Sequence, residues 1–171
     1  MAEGMDWKEA LGEPHPHAPA ELAGFAFLIG RFRCTARMKA GREWQRFDAM
    51  WEGRWILDGY AIADELRIVG AFGELVMLGT ALRAYDAGHK RWNMKWLSAA
   101  GVWTDLGPEE LGGVRMEGGS ISYVFRELVA RHALTRSTFT DISETHFQWH
   151  AEMSDDGKVW EESMAAEAWR V

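Results

Sequence analysis

A chain of 171 residues, 47% apolar and 12% aromatic, is long enough to bury a core as one domain and too apolar to be disordered. Its net charge of −7, with no basic stripe, excludes nonspecific binding to nucleic acid or to an anionic membrane surface. The single cysteine, Cys34, excludes an intramolecular disulfide, and ten tryptophans predict a shared aromatic interior or cavity.

Residues 1–18 read as a flexible leader, and 19–171 as a single domain. One or two helical turns over Asp6–Leu11 are broken by Gly12, Pro14 and Pro16. The acidic start lacks the basic and apolar regions of a signal peptide. The longest apolar run, Leu22–Ile29, is too short to cross a bilayer, so a cytoplasmic location is expected. His15 and His17 read as solvated linker residues rather than metal ligands. Pro19–Leu28 predicts a short helix with Pro in its first turn and Phe25 and Leu28 on one face.

From Gly30 onward the pattern is one of strands and tight turns. The predicted strands are Arg31–Lys39, Glu43–Arg54, Tyr60–Val69, Leu75–Tyr85, Lys90–Ser98, Val102–Leu106, Gly112–Glu117, Ser120–Leu128, His132–Ile142 and the two arms of a terminal hairpin around Ser154-Asp155-Asp156-Gly157. Successive strand side chains face opposite sides, so alternation assigns the faces. Tyr60, Ile62, Asp64, Leu66 and Ile68 share one face. Val76, Leu78, Thr80 and Leu82 share another, and Trp92, Met94 and Trp96 point inward. With about ten strands, short loops and no helix fit for a parallel crossover, the expectation is an all-β antiparallel meander. Closing it into a barrel removes the edges, and a two-sheet sandwich is the alternative.

These residues carry a resemblance. The short helix ending in Phe27-Leu28-Ile29-Gly30-Arg31-Phe32 resembles the opening of calycin-type, lipocalin-like barrels, with Phe32 where those proteins often carry Trp. The block from Leu78 through Tyr85-Asp86 to Lys90-Arg91-Trp92 and Trp96 is similar to one in an uncharacterised bacterial domain-of-unknown-function family. Phe147-Gln148-Trp149, the Ser154–Gly157 turn and Trp169-Arg170 match that family's last hairpin. The resemblance implies a barrel around a small-molecule cavity and no established activity. The haem-binding, nitrobindin-like branch is similar in shape. Its glycine-rich first-strand motif is absent, since the chain reads Gly30-Arg31-Phe32-Arg33-Cys34-Thr35-Ala36-Arg37, so no cofactor is expected.

His146 and His150 have a spacing that chelates zinc on a helix. On a strand their Cα atoms lie about 13 Å apart, too far for one ion to bridge, and their polar face reads as a solvated exterior with no metal. No phosphate loop, dinucleotide fingerprint or nucleophile elbow is present. Cys34 has no base tied to it and reads as a buried small hydrophobe. Asp64 and Glu162 stand out, because each interrupts an apolar face. A carboxylate facing a barrel interior must be paired, hydrogen-bonded or protonated. Arg136, Arg83 and Arg126 are the candidate partners, and an acid/base role is the alternative.

A ten-stranded barrel is wider than the eight-stranded kind that side chains fill, so a cavity is expected. Its predicted wall is Trp92, Met94, Trp96, Trp149, Trp160 and Met164, with Tyr60, Asp64, Tyr123 and Glu162 as polar handles. The expected partner is a small apolar or aromatic molecule. The alternatives are a cyclase or isomerase using Asp64 or Glu162, and a module dimerising through external Trp51, Trp55 or Trp169.

Overall fold

The computed structural model of the protein describes residues 11–126 and 134–171. The predicted turns over Asp6–Leu11, the end of the strand predicted over Ser120–Leu128 and the start of that over His132–Ile142 lie largely outside them.

A 3-10 helix, Ala20–Leu28, opens the domain. Three residues per turn place Leu22, Phe25 and Leu28 one above the other, and all three are buried. Its C-terminal end lies so close to Gly53 that any side chain there would strike the Leu28 carbonyl. Strands follow: β1 (Gly30–Ala40), β2 (Glu43–Ile56), β3 (Ala61–Val69), β4 (Leu75–Asp86), β5 (Arg91–Ser98), β6 (Trp103–Leu106), β7 (Val114–Glu117), β8 (Ser120–Phe125), β9 (Leu134–Thr140), β10 (His146–Ser154) and β11 (Glu161–Arg170).

All eleven belong to one antiparallel sheet in the order β6-β5-β4-β3-β2-β1-β11-β10-β9-β8-β7. A single sheet removes the sandwich alternative. Apart from the β1–β11 pairing, every spatial neighbour is a neighbour in sequence, as short turns dictate. The sheet curls so that its edges, β6 and β7, approach each other. Gly107, just past β6, donates its N–H to the Val124 carbonyl of β8 at 3.1 Å. Both edge strands are only four residues long, which limits unpaired backbone.

The helix plugs one end of this shell. Phe25 meets Phe139 of β9 and Trp92 of β5 edge-on, and Phe27 meets Phe147 of β10. Phe32 and Trp51, paired across β1 and β2, complete the aromatic cluster through Phe147. Edge-to-face ring pairs of this kind add about 0.5–1.5 kcal/mol each beyond the area they bury.

Cys34 faces this interior from β1 and is 2% exposed. Burial pushes its thiol up from 9.0 to about 12, against a hydrogen bond from the Trp51 backbone. The thiol therefore stays protonated and inert near neutrality. The unfolded thiol ionises near 9 while the folded one keeps its proton. The resulting stability is full below about pH 9 and is lost as pH rises toward 12. The Cys34→Ala variant is expected to show a flatter decline in urea midpoint across that window, and an unchanged slope would refute the assignment.

Candidate functional site

Above the helical plug the sheet encloses a cavity of ≈ 460 Å³. Three indoles line it: Trp51 from β2, Trp96 from β5 and Trp149 from β10. Trp96 lies across Gly79 of β4, where any Cβ would collide with the ring, so glycine makes room for the indole. Met77, Phe125, Met153 and Met164 add apolar wall, and Lys39, at the end of β1, is its unburied cation.

One charged pair is built into the wall. Asp64 of β3 is 1% exposed and Arg83 of β4 2%. Arg83 Nε donates to Asp64 Oδ2 at 2.6 Å, and Nη2 donates to Oδ1 at 3.2 Å. Trp51 Nε1 donates to the same Oδ1 at 2.9 Å. The fork matches the carboxylate, which is what a buried ion pair requires. Arg83 Nη1 reaches Tyr123 Oη at 3.4 Å and Met94 Sδ at 3.6 Å, and the guanidinium lies 4.5 Å over the Phe25 ring. Burial opposes the Arg83 charge, but Asp64 and Tyr123 outweigh it and hold its pKa above the ordinary value. The carboxylate at this position is thus a neutralised structural group.

A second polar strip runs along β9. Thr135 and Ser137 share its inward face and are 3% and 2% exposed. Ser137 Oγ accepts the Trp149 indole N–H at 2.7 Å. Thr135 Oγ1 is buried with no hydrogen-bond partner among the described residues.

Of the residues singled out from sequence, the cavity wall contains Asp64, Trp96, Tyr123, Trp149 and Met164. Trp92 and Met94 share the inward face of β5 with Trp96 but sit too low. Trp92 packs on Phe25 and Tyr85, and Met94 is buried beneath Arg83. Tyr60 is 41% exposed and stacks on His15 at 4.4 Å. The left-handed turn Leu57–Asp58–Gly59 delays the strand to Ala61 and swings Tyr60 off its face.

Glu162 and Trp160 are corrections with a single cause. Ala151 pairs with Met164 but Glu152 pairs with Glu162, so Ser163 is bulged out of register. The bulge inverts the face beyond it. Glu162 turns outward beside Glu152 and pairs with Arg37 at 2.9 Å. Trp160 precedes β11 and covers the outward Arg136 guanidinium at 4.3 Å.

One further expectation is overturned. Trp51, expected outside, is 3% exposed and bonded to Asp64. On β4 it is Met77, Ala81 and Arg83 that face the cavity, and Arg83 is the one of the three candidate arginines that pairs with Asp64. The inward side of β4 is the one holding arginine and glycine. Pairing of Arg83 with Asp64 makes that orientation stable. Thr135 and Ser137 were missed because a Thr/Ser-rich strand gives no chemical signal until a wall forms around it. His146 lies on the outer face between Asp141 and Glu167, at 3.1 and 3.2 Å.

No family model matches the chain, and no curated protein matches it. Among solved structures, the chain is similar to Rv2717c from M. tuberculosis, with a TM-score of 0.62 and 13% identity over 90% of this chain and 99% of that one. It is also similar to the S-type phycobiliprotein lyase CPES from Guillardia theta, with a TM-score of 0.55 and 10% identity over 86% and 90%. The fold is calycin-like. Likeness at these identities speaks for the barrel shape, and no family model supports the finer assignment to a particular bacterial family.

Proposed function

We propose that this calycin-like barrel binds a small, largely apolar, aromatic molecule in its lumen. The observation that carries the reading is the ≈ 460 Å³ cavity walled by Trp51, Trp96 and Trp149. Its size and its apolar wall with a few placed polar groups are the usual make-up of a ligand pocket. A barrel of this shape already serves one phycobiliprotein lyase, which supports a functional lumen over a purely structural one. Trp96, Trp149, Tyr123 and Met164 would contact the ligand, and Asp64 would act through the Trp51 indole that it holds.

The catalytic alternative draws no support from the carboxylates. Glu162 is outside, and Asp64 accepts three hydrogen bonds from Arg83 and Trp51. For dimerisation, Trp51 is buried and Trp55 partly buried, and Trp169, at 44% exposed, is the most open of the three. Among the described residues no helix is long and apolar enough to cross a membrane.

Titration of the intrinsic tryptophan fluorescence with a panel of naphthalenes, indoles and flavones tests the proposal. Saturable 1:1 quenching by at least one class is expected, because three indoles would contact the guest. Absence of quenching by every compound would remove it.

A further inference from the structure

Thr135 is buried at 3% exposed, faces the cavity, and offers a hydroxyl with no partner among the described residues. Native proteins leave few such groups, because a buried polar atom without a partner is penalised. Valine would fill the same volume without that penalty. Two residues along the same face, Ser137 Oγ already accepts the Trp149 indole N–H, and its own O–H remains as a donor. Phe125 and Met153 lie across from Thr135, and Ser137 lies between Ala151 and Tyr123, whose hydroxyl is 3.4 Å from Arg83 Nη1. The wall therefore presents two hydroxyls side by side on β9, next to the apolar Phe125, Met153 and Ala151.

Charge narrows the class of group they receive. Arg83 is neutralised by Asp64, and Lys39 is drawn toward Glu161 at 3.9 Å. No unmatched cation among the described wall residues would balance a buried anion, and two neutral hydroxyls do not repay the desolvation of a carboxylate. We propose that the ligand of this pocket carries a neutral carbonyl-type oxygen that accepts hydrogen bonds from Thr135 and Ser137. The inference rests on the lumen-binding reading above and adds the polar half of the ligand to its aromatic half.

The test uses a matched pair of probes, 2-acetonaphthone and the hydrocarbon 2-isopropenylnaphthalene, titrated into the full chain by fluorescence. The ketone is expected to bind about tenfold tighter, the equivalent of about 1.4 kcal/mol. Thr135→Val should cut the ketone's preference at least about threefold, the remainder being carried by Ser137, and leave the hydrocarbon unchanged, which also reports that the variant is folded. Thr135→Ser should restore the preference. Equal binding of the two probes by the unaltered protein overturns this inference alone, and would mean that only water meets the hydroxyl. A preference left undiminished in Thr135→Val overturns it as well, since the oxygen then docks elsewhere. Failure of both probes to bind overturns this inference, and failure of the whole panel with them overturns the lumen-binding reading too.

Discussion

Replacing Arg83 by methionine is expected to destabilise the protein by about 3–5 kcal/mol, read as a fall in the urea midpoint at unchanged slope. Asp64 would be left 1% exposed, with the Trp51 indole as its one remaining donor of the three side-chain contacts. Removing one member of a buried ion pair strands the other charge, which is far worse than removing both. The double variant Asp64→Leu/Arg83→Met should therefore recover most of the loss. A single Arg83→Met variant that loses less than about 1 kcal/mol would show that the pair is not what holds β3 and β4 to the plug.

The second expected effect is on binding. Ala151 is 4% exposed and faces the lumen, opposite Ser137 on one side and Met164 on the other. Ala151→Trp places an indole in the space a guest would occupy. Affinity for any ligand found by fluorescence should fall by at least about 30-fold, while overpacking costs the fold roughly 1–3 kcal/mol. Glu162→Gln is the matched control on the outer face of the same hairpin and should leave affinity within about twofold. Loss of binding in Glu162→Gln together with retention in Ala151→Trp would invert the assignment of faces on β10 and β11.

Legibility of the site followed strand regularity. On β3 the alternation of Ile62, Asp64, Leu66 and Ile68 runs without interruption, and Asp64 faces inward as its position implies. On β5 the face is also correct, yet depth along the strand decides the role. Trp92 meets the helical plug and Trp96 meets the cavity, about four residues of strand rise higher. On β11 one bulged residue, Ser163, turns Glu162 away from the lumen. On β4 the inward face is the less apolar one, because Arg83 brings its own counter-charge from β3 and Gly79 yields its space to Trp96.

The sequence by itself determined the all-β class, the antiparallel pairing of most consecutive strands, the short N-terminal helix and the presence of an aromatic interior. Each follows from period-two patterning, turn residues and composition, which act locally. Tertiary structure alone decided which carboxylate is buried and with what partner, which tryptophans reach the lumen, and where a hydroxyl is left without one. Those outcomes depend on register, a bulge and the depth of a plug, and each couples residues far apart in the chain: Asp64 with Arg83, Trp96 with Gly79, Trp149 with Ser137. Local patterning carries no information about such pairs until the sheet curls and brings them into contact.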